Sequence, residues 1–147
     1  MTVPLEQLNL PAIVAEVAGV FAAYEAALLA NDAAALNAFF LASASTVRLG
    51  VAEHAFGIRS IEEQRARLPK ISTGRRLHNT VITTWGTDLA AVSTEFAAPD
   101  TLLLGRQSQT WVRTVAGWKI LAAHVSTIAS PVTRSFDATA PVQSRRE

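Results

Sequence analysis

The sequence predicts an α+β fold, a cone-shaped roll in which a strongly bent antiparallel sheet wraps around N-terminal helices. Three observations predict it. Helical periodicity is confined to the first half of the chain. From about residue 76 the pattern changes to long strands rich in Val, Ile, Thr, Trp and Phe. The links between those strands are short, which makes consecutive strands antiparallel neighbours. Helices segregated onto one face of such a sheet leave an open mouth, a natural place for a small-molecule pocket.

Residues 11–30 carry an apolar stripe of Val14, Val17, Phe21, Tyr24 and Leu28 at helical spacing. Pro11 suits the first turn. Asn31 and Asp32 stop this helix and cap a second over about 32–41, with Leu36, Phe39 and Phe40 on its core face. Residues 46–50 and 53–56 alternate and predict a short hairpin or meander. Ser60-Ile61-Glu62-Glu63 has the form of a capping box, opening a third helix that ends before Pro69. Strands are expected over 77–85, 89–96, 102–113 and 118–128, joined by turn-forming residues such as Gly86-Thr87-Asp88. One domain is expected over 1–129, with a flexible tail over 130–147.

Of the 147 residues half are hydrophobic and 17% are charged, enough for one sizeable core. A net charge of +1 carries no footprint for nucleic acid. Without cysteine there is neither a disulfide framework nor thiolate chemistry. His54, His78 and His124 lack metal-ligand spacing. The opening residues do not read as a signal peptide and no apolar stretch reads as a membrane span, so a cytoplasmic protein is expected.

The most telling stretch is Gly105-Arg106-Gln107-Ser108-Gln109-Thr110-Trp111-Val112-Arg113. Gln107, Gln109 and Trp111 share one parity, hence one face of a strand. Buried amides need partners, so this face either meets water or lines a cavity that holds something polar.

That string, Gly117-Trp118 and Ala123-His124-Val125-Ser126 after it, and Tyr24-Glu25, Asn31-Asp32, Thr46-Val47-Arg48, Gly50, Glu53, Gly57 and Arg65/Arg67 before it resemble the AtzH-like family. This family lies in the nuclear-transport-factor-2-like, or cystatin-like, superfamily, and the likeness runs over roughly residues 10–128. It implies a small protein that needs no cofactor and accompanies amidase-signature enzymes in bacterial nitrogen catabolism. It implies an amidohydrolase acting on a small carboxylated urea such as 1,3-dicarboxyurea. The tyrosine and arginine implicated in the family match Tyr24 and Arg48. The alanine-rich first half, including Ala33-Ala34-Ala35, departs from the family pattern.

Residue by residue, two readings stand beside each other. Tyr24, the sole tyrosine, is either core packing or the one phenol available for proton transfer or an oxyanion hydrogen bond. Arg48 is either solvated or a carboxylate clamp, and beside Tyr24 it would lower the phenol's pKa. A second carboxylate would need a second cation. Arg65 and Arg67 cannot both point inward from a helix, and Arg67 is favoured. Gln107 and Gln109 are candidates for reading a urea-like amide, with Trp111 as an apolar wall. His124 is either structural or, facing the cavity, the best general base at neutral pH. Glu53 is expected to pair with an arginine.

Two other functions compete. One is a binding module for a small carboxylate, or an accessory protein of an amidase. The other is an isomerase or dehydratase of the same superfamily, for which Glu95 is the acid within a strand. An exposed sheet face rich in Val, Thr and Trp predicts a homodimer or higher assembly through the sheets.

Overall fold

The computed structural model describes residues 2–99 and 101–129; the predicted tail lies outside them. The order is α1 (Pro11–Leu29), α2 (Ala33–Ala38), β1 (Val47–Leu49), β2 (His54–Phe56), α3 (Ile58–Arg65), β3 (Arg76–Trp85), β4 (Leu89–Ala97), β5 (Leu103–Thr114) and β6 (Gly117–Ala129). All strands form one sheet in the order β2-β1-β6-β5-β4-β3. Every pairing is antiparallel except β1 with β6, which is parallel. The α+β roll expected from the sequence is the fold observed.

The long helix α1 forms because its apolar residues recur at i, i+4 and i+7. Ile13, Val17, Phe21, Tyr24 and Leu28 are buried against the sheet with Ile82, Val92, Trp111 and Ile120. Its opposite face is mostly alanine and glycine, with Glu16 among them. That composition makes α1 long and apolar enough, by length and composition alone, to cross a membrane. The expectation that no stretch reaches that length is therefore corrected, and in this fold the helix serves as the core helix. Trp118 Nε1 donates to Glu16 at 3.1 Å and Arg113 pairs with Glu16 at 2.6 Å, tying the outer face of α1 to the β5–β6 hairpin.

Two helix boundaries differ from expectation. The second helix stops at Ala38, and Phe40 instead forms a bridge with Ile120 of β6. The third helix opens at Ile58, two residues before the apparent capping box. Gly57 at φ 88 turns the chain, and the Gly57 and Ile58 amides donate to Thr46 and Ser43 carbonyls. Tertiary hydrogen bonds placed this boundary ahead of the local Ser60 signal.

Irregularities bend the sheet. On β3 the register shifts between His78 and Val81, where Asn79 has φ 51. On β6 Thr110 pairs with Ala122 while Trp111 pairs with Ile120, so Leu121 is an extra residue. This bulge reverses the facing of everything after it. Trp118 and Ile120 point inward, and beyond the bulge Ala123 is the buried residue while Ala122 and His124 are exposed.

Candidate functional site

A cavity of about 420 Å³ opens between α1, α3, β1 and the inner face of the sheet. Tyr24 reaches it from α1, Arg48 from β1, Arg65 from the last turn of α3, Arg75 from just before β3 and Gln107 from β5. Glu53, in the turn between β1 and β2, stands at the same wall.

Tyr24 is buried in an aromatic setting. Phe39, Phe40 and Trp111 meet its ring edge-on at centroid distances of 5.6, 6.5 and 6.2 Å. Burial raises the pKa of its phenol, while the positive charges of Arg65 and Arg48 oppose that rise. Burial prevails, so at neutral pH Tyr24 holds its proton and acts as a hydrogen-bond donor. Arg65 stands close enough to the phenol for the two groups to shift each other's ionisation. One consequence is measurable. Tyr24 ionises above the ordinary pKa of about 10 in the folded chain but near 10 once unfolded, so stability should begin to fall as pH rises past about 10. Tyr24→Phe should flatten that alkaline decline. A chemical-denaturation series from pH 8 to 11 checks it, and equal slopes in both proteins would contradict it.

Arg65 is the residue that sequence reasoning chose against. It is 9% exposed, whereas Arg67 is exposed, lies beyond the end of α3 and does not line the cavity. The expectation for Arg67 is corrected. Ile58, Ile61 and Arg65 fall at i, i+3 and i+7, one face of a helix, and that spacing carried the signal. Arg65 Nε and Nη2 have no hydrogen-bond partner, and burial lowers its pKa. Among the described residues no carboxylate lies within ion-pair distance of it. A guanidinium buried this way costs several kcal/mol until an anion joins it.

The other two guanidiniums are matched. Arg48 Nη1 donates to Glu53 Oε1 at 2.7 Å, the pairing expected of Glu53. Burial works against the Glu53 charge, yet the Arg48 hydrogen bond and charge hold its carboxyl below the usual range. Glu53 folds back over Gly50, where any Cβ would collide with it. Arg75 Nε and Nη2 form a two-pronged pair with Glu25 at 3.1 Å each, and its Nη2 also reaches Gln107 Oε1 at 3.3 Å. The Phe96 ring stacks on Arg75 at 3.9 Å from its centroid.

Neither Arg75 nor Phe96 was singled out from the sequence, and Glu25 was noted only beside Tyr24. Glu25 lies four residues after Phe21 and three before Leu28, a charge set in an apolar stripe, and that was the available signal. Gly105 explains itself here. A Cβ on it would strike the Phe96 ring, so glycine lets Phe96 lie flat against β5 and hold Arg75. Gly105→Ala should therefore displace Phe96 and lower stability by about 1–3 kcal/mol, as overpacking does. A thermal melt within a degree of the parent would refute this.

The amide face is inward, as its parity left open. Gln107, Gln109 and Trp111 are all buried. Gln107 lines the cavity with Nε2 unpartnered. Gln109 and Trp111 do not line it. Trp111 Nε1 donates to Gln109 Oε1 at 3.0 Å, so the two satisfy each other within the core. His124 is also corrected. It is exposed on the outer face, across from Ser108, because of the Leu121 bulge. Glu95 lies outside the cavity lining, in hydrogen-bond contact with Asn79 at 3.3 Å. Among the described residues no three His, Asp or Glu side chains are grouped as metal ligands.

A bent sheet rolled over a core helix, with a largely apolar cavity between them into which three arginines reach, places this chain among the cystatin-like, nuclear-transport-factor-2-like proteins. The comparisons narrow this further. The AtzH-like family model matches residues 6–131, and the chain belongs to that family. It is similar to a cystatin-like fold protein from Burkholderia xenovorans, at 52% identity and TM-score 0.82 over 84% of this chain and 98% of that one. It is also similar to a protein of unknown function from Pectobacterium atrosepticum, at 42% identity and TM-score 0.84 over 86% and 99% of the two chains. A nuclear-transport-factor-2-like protein from Pseudomonas putida shares the fold at 15% identity and TM-score 0.66, covering 88% of this chain and 96% of that one. A search of curated proteins finds no match.

Proposed function

We propose that this protein is a cofactor-independent enzyme that cleaves a carbon–nitrogen bond of a small carboxylated urea or amide, an amidohydrolase of the class whose substrates include 1,3-dicarboxyurea. The observation that carries the reading is the meeting of a protonated, buried phenol with an unmatched buried guanidinium at one cavity wall. Arg65 takes the carboxylate and Gln107 Nε2 donates to a carbonyl. Water adds to the amide carbon, the carbonyl pair moves onto oxygen, and the Tyr24 hydroxyl donates to that oxyanion. Collapse re-forms the carbonyl and breaks the C–N bond. The leaving nitrogen keeps the proton that the water gives up.

One observation favours a second reading. The wall offers a proton donor, while Glu53 is held ionised by Arg48 and is a weak base. Loss of carbon dioxide from an N-carboxyl group needs only a donor. Tyr24 protonates the nitrogen, the C–N bond breaks, carbon dioxide leaves and water restores the phenol. Incubation with freshly made, carbon-13-labelled 1,3-dicarboxyurea and its monocarboxylated analogue, followed by NMR and ammonia release, separates the two. Labelled bicarbonate as the first one-carbon product, or ammonia where the urea carbonyl is cut, supports hydrolysis, and labelled carbon dioxide formed ahead of bicarbonate without ammonia supports decarboxylation. No turnover above the buffer rate sinks the enzyme reading and leaves a carboxylate-binding module.

A homodimer is proposed through the outer sheet face. Ala91, Ser93, Ser108 and Ala122 give that face small, exposed side chains on neighbouring strands, against which a two-fold copy can pack. Light scattering at micromolar concentration should give twice the monomer mass of 15.7 kDa. A monomer peak would contradict it.

A further inference from the structure

A 1,3-dicarboxylated urea brings two carboxylates into the cavity, and one guanidinium fork holds one of them. Four cations line the wall, Arg48, Arg65, Arg75 and Lys70. Arg48 is paired with Glu53 and Arg75 with Glu25. The Glu53 charge also reaches Arg65, and each favours the charged form of the other. Arg65 still keeps Nε and Nη2 without a partner. Lys70 forms no ion pair among the described residues. Four cations against two carboxylates leave the wall a formal charge of +2, which a dicarboxylate cancels.

Lys70 stands five residues beyond Arg65, on the segment that joins α3 to β3. The backbone there is held on both sides. The Leu68 amide donates to the Arg65 carbonyl at 3.2 Å, and Pro69 fixes its own φ. The Ile71 amide donates to Asn31 Oδ1 at 2.8 Å, and Ile71 packs against the core. Asn31 follows the end of α1 in the left-handed region, at φ 53. Lys70 is thus fixed at its Cα and exposed at its side chain, while Arg65 is buried. A four-carbon stem lets the ammonium follow a ligand. Leu28, Leu68 and Ile71 also line the cavity and keep water from a ligand's flank, so an ion pair made there is stronger than one on the open surface.

We propose that Lys70 is a specificity-determining residue: it takes the outer carboxylate of a dicarboxylated ligand while Arg65 takes the inner one, so the site prefers a short dicarboxylate to the matching monocarboxylate. This rests on the function proposed above and assigns the substrate's second carboxylate.

The test uses glutarate, whose chain has the length of a 1,3-dicarboxylated urea, and its monoamide glutaramate. Titration calorimetry on the full chain at neutral pH should show glutarate binding about fivefold or more tightly than glutaramate. Lys70→Gln should remove that preference by weakening glutarate alone, and Lys70→Arg should keep it. Arg65→Gln should weaken both compounds by about tenfold or more. A parent chain that binds the two equally, or glutaramate more tightly, overturns the proposal. A preference unmoved by Lys70→Gln overturns it equally, as does absence of binding by both compounds at about 10 mM. Failure of the enzyme reading looks different. A Lys70-dependent preference with no turnover of any carboxylated urea keeps this proposal and removes the catalytic one. Turnover of 1,3-dicarboxyurea with KM unchanged in Lys70→Gln does the reverse.

Discussion

Tyr24→Phe should leave the fold intact and lower turnover of a carboxylated urea by about 10²–10³, the usual cost of removing one oxyanion donor. The phenylalanine ring keeps the edge-on contacts with Phe39, Phe40 and Trp111, so the core is not opened. What disappears is one hydroxyl, the only phenol in the chain, held protonated by its burial. Arg65 loses a neighbour but not its charge, so carboxylate binding should persist. The expected signature is a fall in kcat with KM little changed, an interaction made in the transition state alone. Retained kcat would remove Tyr24 from the chemistry. A rise in KM with unchanged kcat would make it a binding group only.

Glu25→Ala should be the most damaging single substitution at the site. It strands Arg75, whose side chain is 6% exposed, with no carboxylate partner. Breaking a buried ion pair by removing one partner costs about 3–5 kcal/mol. For a domain of this size that is a fall in Tm of about 10–20 °C. Gln107 would also lose the fixed guanidinium that orients its amide. The paired replacement Glu25→Leu with Arg75→Met removes both charges and should recover most of the loss, because an apolar pair of similar volume carries no desolvation penalty. If Glu25→Ala melts within about 3 °C of the parent, the pair contributes far less than a buried pair should. If the double variant is no better than the single one, stability there comes from packing alone.

These two residues also mark how far the chain could be read unaided. Tyr24 stood out as the sole phenol and through the family resemblance, and it lines the cavity. Arg48 and Gln107 are there too. Arg67 and His124 are not. Each was misplaced by a step that depends on distant chain. The Leu121 bulge lies where β6 runs beside β5 just before it takes up β1, and one extra residue turns His124 to the outside. Arg65 is turned inward because Ile61, on the same helical face, is 1% exposed in the core. Arg75 precedes a strand and shows no local pattern. It matters only because Glu25, 50 positions earlier, meets it.

Local order was therefore legible from the residues themselves. Helical spacing in α1 and β-branched runs from residue 76 onward, with short links, determine helices first and antiparallel strands after, because period and turn length act within a few residues. Tertiary structure decided the parallel β1–β6 pairing, the start of α3 at Gly57 and which arginines are neutralised. Those depend on charges and backbone groups far apart in sequence, and their energies exist only once folding has excluded water between them.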